Sequence, residues 1–182
     1  MNINDPIAKQ TEWTPLEGGG ASFGTHKLVE ISTNRLEYRA SNGAMLFYLL
    51  FISLGLIAVS SNFWNGLNLM VLVIGLIFTV VGGILFVSGT TPKVFDKEAN
   101  TFWSGKKQGA DSISLNQIHA LQVVAEFIKS KKKRYHSDEL NIVMKDGKRV
   151  NVIDHGDRLS FDKDAKKLSE FLNKPIWESD HK

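Results

Sequence analysis

An uncharged stretch of 53 residues limits what this chain can fold into more than any other feature of its sequence. No residue from 40 to 92 is charged or a histidine, so the 22 basic and 19 acidic residues all lie outside that range. A helix in a soluble core keeps a polar face. The sequence therefore predicts a membrane-spanning region joined to a well-solvated domain. The net charge of +3 is too small to indicate a nucleic-acid partner.

The uncharged stretch divides into two apolar segments. Residues 44–59 precede, and residues 69–87 follow, a polar and aromatic segment that contains Trp64. A helix that crosses the hydrocarbon core needs roughly 17–25 residues, and tryptophan is common at the membrane interface. We expect a transmembrane helical hairpin over residues 43–88. The alternative is a buried helical hairpin in a soluble core.

The basic residues beside the two segments predict their orientation. Seven lysines and arginines flank the segments, whereas the loop between them has none. Cytoplasmic flanks carry the excess of positive charge in membrane proteins. We therefore expect a multi-pass protein of the lipid bilayer with both termini in the cytoplasm. The seven residues are Lys27, Arg35, Arg39, Lys93, Lys97, Lys106 and Lys107.

Small residues recur every four positions on the second span, at Gly75, Thr79 and Gly83. Small residues at this spacing let two helices approach closely. One hypothesis is a contact with a second copy of the chain or with another membrane protein. The other is packing against the first span of the same chain, where Gly55 and Ala58 are also small. The sequence favours the second hypothesis.

The residues before the first span divide into two parts. Residues 1–25 contain two prolines and three consecutive glycines and are expected to be irregular. The glycines do not lie between a strand and a helix, so a phosphate-binding loop is not expected. Residues 26–40 predict a β-hairpin that turns at Thr33-Asn34. Its shared apolar face is expected to consist of Val29, Ile31, Leu36 and Tyr38.

Residues 93–182 predict a mainly-β domain. Short strands are expected at 93–96, 100–104 and 112–115, and a longer strand around 121–127, where apolar residues alternate. A three-residue loop, 145–147, is expected to join the next two strands, with Gly147 in the left-handed conformation that glycine adopts at least cost. This register pairs Ile142 with Val150 and Leu140 with Val152.

The last expected element is one amphipathic helix, followed by residues 176–177 packing back on the sheet. Ser160 is predicted to cap its start, and the sequence Asn173-Lys174-Pro175 is predicted to end it. Apolar residues at i, i+4, i+7 and i+11 form its buried face. They are Phe161, Ala165, Leu168 and Leu172.

Strands that end in an amphipathic helix, attached to a two-span hairpin, resemble the pleckstrin-homology-like (PH-like) domains of small bacterial membrane proteins. The stretch from Asp154-His155-Gly156-Asp157 to Lys174-Pro175-Ile176-Trp177 is similar to an uncharacterised group of such two-span proteins. The resemblance implies a membrane protein with a transmembrane hairpin and a mainly-β PH-like cytoplasmic domain that has one C-terminal helix. It also implies a bacterial inner membrane. It implies no catalytic residues and no cofactor.

The strongest candidates for a catalytic or metal-binding role are Asp154, His155 and Asp157, between the last long strand and the helix. A histidine with two carboxylates can move protons or contribute to a metal site. A turn that leads into the helix explains the same residues structurally, and the sequence favours this explanation. The chain has no cysteine, which excludes disulfides and thiolate metal sites. No metal and no cofactor is predicted.

A basic run is expected to join two long strands of the domain. Positive charge near a bilayer attracts anionic lipid head groups or an acidic partner. A merely solvated loop is the alternative. The residues of this basic run are Lys129, Lys131, Lys132, Lys133 and Arg134.

These features predict a non-enzymatic, membrane-tethered binding or scaffold module that acts within a larger assembly. The alternative is an enzyme that works at the membrane surface through Asp154, His155 and Asp157.

Overall fold

The computed structural model describes residues 4–129 and 134–178. The chain forms two compact units. Residues 40–91 form the first, called here the helical hairpin, and the chain on both sides of it forms the second, called the β-unit.

The helical hairpin consists of α2 (Asn42–Asn65) and α3 (Leu69–Gly89). Each helix begins at a polar side chain, because the Ser41 hydroxyl accepts a hydrogen bond from Ala44 N and the Asn68 carbonyl accepts one from Val71 N. Both helices are long and apolar enough to cross a membrane. The expected pair of long apolar helices is therefore confirmed.

Small residues form the contact between the two helices. A Cβ added to Gly75 would lie 2.9 Å from Gly55 O, and a Cβ added to Gly55 would lie 2.5 Å from Thr79 N. No described atom lies within 4 Å of a Cβ added to Gly83. Gly75 therefore packs against the first helix of the same chain, as the sequence favours. Self-association through Gly75, Thr79 and Gly83 stays a prediction.

The first part of the β-unit is a five-stranded sheet, called sheet A, with the strand order β1-β2-β3-β4-β5. Tyr38 of its second strand pairs with Lys93 of its third, so the helical hairpin is inserted between two neighbouring antiparallel strands. The strands are β1 (His26–Ser32), β2 (Arg35–Ala40), β3 (Lys93–Asp96), β4 (Thr101–Ser104) and β5 (Ile113–Ser114).

The second part of the β-unit is a four-stranded sheet, called sheet B. It consists of β6 (Ile118–Lys129), β7 (Arg134–Met144), β8 (Arg149–His155) and β9 (Ile176–Glu178). The strand order is β8-β7-β6-β9, and β9 pairs with β6 in parallel. Two α-helices and a short 3-10 helix (Leu115–Gln117) complete the described part of the unit. The α-helices are α1 (Pro6–Gln10), which lies inside the segment expected to be irregular, and α4 (Arg158–Leu172).

One hydrophobic core holds sheet A, sheet B and α4 together, and it contains large side chains such as Tyr38 and Phe95. The predicted buried face of α4 is confirmed, because its four apolar residues are buried in this core. Its start differs from the prediction. Asp157 is the capping residue, and its carboxylate accepts hydrogen bonds from Ser160 N and Ser160 Oγ. Ser160 thus lies inside the first turn.

The turn and half of the register between β7 and β8 are confirmed. Gly147 has a φ of +83°, and Ile142 pairs with Val150. Leu140 pairs with Ile153 and not with Val152, because an irregularity between Leu140 and the next residue shifts the register. The alternating apolar pattern of the sequence does not reveal a bulge of this kind.

The expected apolar face of the first hairpin forms only in part. Leu36 and Tyr38 are buried, whereas Ile31 is 43% exposed. In β1 it is Leu28 that packs against the core. Side chains alternate along a strand, so Val29 and Ile31 lie on the other face and the prediction is wrong for this strand.

Candidate functional site

Asp154, His155 and Asp157 do not form one site in the structure. Asp154 pairs with Glu139 across β7 and β8, and His155 follows it, so their side chains point to opposite faces of sheet B. The Asp157 side chain caps α4. Each of the three residues therefore has a separate structural environment.

The hydrogen bonds of His155 indicate its tautomer. Its side chain is buried at 2% exposure. The Asp157 N–H donates to Nδ1 at 3.1 Å, so Nδ1 carries no proton. The proton of the neutral ring is then on Nε2, which donates to His26 O at 2.9 Å. Both ring nitrogens are occupied in contacts that join three segments of the β-unit.

The basic run lies at the connection between two long strands. Lys129 ends β6, Arg134 begins β7, and the two residues pair with each other. Lys131, Lys132 and Lys133 lie outside the described residues. The run therefore connects the two longest strands of sheet B, as the sequence predicts.

A row of polar residues that the sequence analysis does not identify lies on the outer face of sheet B. Side chains alternate along a strand, so residues between core positions such as Leu121 and Val123 point away from the core. The register brings the polar residues together in pairs: Gln122 with Asn141, Glu126 with Ser137, and Glu139 with Asp154. These six residues are called the polar row.

The N-terminal segment crosses this row, and the carboxylates of the row bind its backbone. Glu139 accepts hydrogen bonds from Leu16 N and Glu17 N, both at 2.8 Å. Glu126 accepts hydrogen bonds from the next amides, Gly19 N at 3.1 Å and Gly20 N at 3.4 Å. Two carboxylates thus hold two pairs of adjacent amides. Residues 12–20 are called the strap.

The carbonyl groups of the strap are held by donors of the same sheet. Gln122 Nε2 donates to Glu12 O at 2.9 Å. Arg149 Nη1 donates to Thr14 O at 2.7 Å. A peptide backbone offers N–H donors and C=O acceptors. The carboxylates of the polar row accept from the strap N–H groups, and Gln122 and Arg149 donate to its carbonyl groups, so this face of the sheet has the chemistry of a peptide-binding surface.

Both ends of the strap are anchored to sheet B. At its start, Trp13 of the strap packs with Ala8 and Trp177 in a small apolar cluster. After it, Gly156 N donates to Phe23 O at 3.0 Å, and the Thr25 hydroxyl donates to Asp154 O. The strap therefore spans the polar row between two fixed points.

The carboxylates under the strap depend on its amides. Glu139 is only 2% exposed. Its charge is compensated by the two strap amides and by Asn141 Nδ2, which donates at 2.6 Å. Hydrogen bonds to an ionised group are stronger than neutral ones. Without the strap, this carboxylate would need water or another donor in place of the amides.

Asp154 is the perturbed titratable group of the row. Burial raises the pKa of Asp154 to about 7, and the charges of Glu139, Glu17 and Glu126 act in the same direction. The strap contributes to this environment, because Glu17 belongs to it and Gly20 lies over Asp154: a Cβ added to Gly20 would be 3.5 Å from Asp154 Cβ. Near neutral pH the group exists in both protonation states.

Two buried polar atoms of the row have no hydrogen-bond partner within the described residues. They are Ser137 Oγ and Asn141 Oδ1. A buried polar atom without a partner costs free energy, so the strap leaves part of the hydrogen-bonding capacity of the row unused. The described residues contain no group of three or more acidic or histidine side chains that could hold a metal ion.

No family model matches this chain, and no curated protein matches it either. The geometry of the polar row and of the two apolar helices is therefore what bears on function.

Proposed function

We propose that this chain is a membrane-tethered binding or scaffold module, non-enzymatic and acting within a larger assembly of a bacterial inner membrane. The observation that carries the proposal is the exposure of the two apolar helices. Their most apolar windows have mean hydropathies of 2.2 and 2.9, yet only 17% and 11% of those windows are buried. Core helices of soluble proteins bury such surface, so a bilayer is the environment that fits them.

The order of elements in the β-unit supports a PH-like domain. The strands are followed by one C-terminal helix, which is the order of elements that the resemblance implies, and the helix shares a core with both sheets. Binding is favoured over catalysis because His155 has both ring nitrogens in structural hydrogen bonds and Asp154 is on the other face of the sheet.

The membrane topology is tested with single cysteines, which is straightforward because the natural chain has none. We propose that residues 1–40 and 93–182 are cytoplasmic, since seven basic residues flank the helices and the loop has none. In intact cells, an impermeant thiol reagent is expected to label Asn65→Cys and not Asp180→Cys. The reverse pattern would contradict the proposed orientation. Labelling of both after permeabilisation is the control.

The assembly is tested by gentle purification of the full chain from native membranes. At least one further polypeptide is expected in a fixed ratio to the chain. Recovery of the chain alone, at the size of a single copy, would contradict a scaffold role.

We further propose that the basic run faces anionic lipid head groups. Each lysine or arginine near an anionic surface contributes about 1 kcal/mol, and the effect fades over a Debye length of about 8–10 Å. A soluble chain in which Asn-Gly replaces residues 41–90 is expected to bind anionic liposomes weakly at low salt and to ignore neutral ones. Replacing Lys131, Lys132, Lys133 and Arg134 with glutamine should abolish that binding.

The control for this experiment removes the same number of charges elsewhere. Glutamine at Lys106, Lys107, Lys163 and Lys166, which are exposed, should leave most of the liposome binding intact. If both quadruple variants lose binding equally, net charge and not the basic run is responsible.

A further inference from the structure

The middle of the strap is held with little burial of apolar surface. Leu16 is 42% exposed, and residues 17–19 are exposed as well. Segments with few buried apolar contacts open at a low free-energy cost, even when their backbone is hydrogen-bonded. Because the anchors at Trp13 and Phe23 lie outside this stretch, residues 14–20 can open while the rest of the segment stays in place.

The polar row binds backbone groups of the strap and leaves no room for a side chain at position 20. It binds the amide pairs of residues 16–17 and 19–20 and the carbonyl of residue 12, and Arg149 beside the row binds the carbonyl of residue 14. A Cβ added to Gly20 would lie 2.8 Å from Ser137 Cβ and still closer to Ser137 Oγ. Any chain that occupies the row in the same way therefore needs glycine at that position, and glycine is also favoured at the position of Gly19, which has a φ of +88°.

The row also has capacity that the strap does not use. Ser137 and Asn141 are almost fully buried, and their side-chain oxygens Oγ and Oδ1 have no partner within the described chain. A ligand that supplied donors to these two atoms would recover free energy that the strap forgoes. A segment that supplied these two donors would therefore bind the row more tightly than the strap does.

We propose that the polar row is a binding groove for a backbone segment of a partner protein, with glycines at the places of Gly19 and Gly20, and that residues 14–20 are the intramolecular occupant which this segment displaces. The proposal rests on the proposed role as a binding module and names its site. A tethered occupant acts at an effective concentration on the order of millimolar. The partner segment must outcompete it, and the unused groups of Ser137 and Asn141 provide the means.

The first test is hydrogen exchange on the full chain in detergent. The amides of Leu16, Glu17, Gly19 and Gly20 are expected to exchange at least about 100-fold faster than those in the centres of β6 and β7, because they open locally. If the strap amides exchange as slowly as the amides in the centres of β6 and β7, the strap is a permanent part of the fold and the proposal is wrong.

The second test uses a capped peptide with the sequence of residues 14–21 as the probe. In the full chain with Gly20→Val, the strap cannot seat, so the labelled peptide is expected to bind at least about tenfold more tightly than to the natural chain. This binding is measured by NMR, from the chemical-shift changes of the isotope-labelled peptide. A peptide that itself carries Gly20→Val should bind neither chain.

Matched variants separate steric displacement from general damage. Gly18→Ala should behave as the natural chain, because its added Cβ is 3.7 Å from Glu126 Oε1, an ordinary contact. Gly19→Val acts through the backbone, since Gly19 has a φ of +88° and no described atom lies within 4 Å of its added Cβ. It should also open the groove. If neither valine variant folds, or if folded variants bind no peptide, the groove proposal is overturned.

These results are distinguishable from a failure of the proposed function. A partner that co-purifies equally with the natural chain and a folded Gly20→Val chain, without peptide binding, would reject the groove and leave the binding module. Peptide binding by a chain that co-purifies with nothing would reject the module in its proposed assembly and leave the groove.

Discussion

A chain in which Asn-Gly replaces residues 41–90 is expected to fold as a soluble β-unit, whereas the fragment of residues 93–182 is expected to stay unfolded. The two-residue turn suits the antiparallel pair β2 and β3, because Tyr38 already pairs with Lys93. The fragment lacks both strands before the helical hairpin. It therefore loses the buried side chains of Leu36 and Tyr38.

The expected difference in stability between the joined chain and the fragment is large. Losing a large core side chain costs about 2–5 kcal/mol, so the loss of two consumes most of the roughly 5–15 kcal/mol that stabilises a typical domain. Circular dichroism during thermal denaturation measures both proteins. A cooperative transition of the fragment alone, or none for the joined chain, would contradict the assignment of β1 and β2 to the domain.

Leucine at Gly75 is expected to separate α2 from α3 at a cost of about 3 kcal/mol, the upper range for overpacking. Its added Cβ already meets the backbone atoms Gly55 O and Val59 N at 2.9 Å, and backbone cannot rotate away as a side chain can. Energy transfer between labels at Asn42→Cys and Ser88→Cys, followed during SDS titration, measures the stability of the helical hairpin.

Gly83→Leu is the matched control on the same helix. It adds the same side chain and the same hydropathy, but no described atom lies within 4 Å of the added Cβ. The helical hairpin should keep its stability in this variant. Equal loss in both variants would mean that bulk anywhere on α3, and not the contact with α2, is responsible. A loss of self-association confined to Gly83→Leu would support the dimer hypothesis.

Local patterns made much of the fold predictable. The face of α4 and the turn at Gly147 depend on spacing within a few residues, and both are as expected. The pairing of Leu140 with Ile153 was not predictable, because a bulge adds a residue without changing the apolar alternation. The cap at Asp157 was also missed, since Asp157 and Ser160 are both good capping residues and sequence alone does not choose between them.

The polar row escaped prediction for a different reason. Polar residues at alternate positions of a strand ordinarily indicate a face in contact with water. Glu139 is buried, and its carboxylate is bound by the amides of Leu16 and Glu17, more than 120 positions earlier in the chain. The available signals were the run of three glycines at 18–20, which allows a close approach, and two glutamates in the interior of long strands.

The insertion of the helical hairpin between β2 and β3 imposes an order on synthesis. The strands β1 and β2 leave the ribosome before either helix, and their partner β3 follows only after α3. A chain that sent a single helix across the bilayer would leave β2 and β3 on opposite sides, and neither half would contain a complete core. Formation of the β-unit therefore requires that both helices cross or that neither does. A protease-resistant β-unit then reports that the chain has not crossed a bilayer with one helix alone, and a chain with one missed span would present its unpaired strands to quality-control proteases.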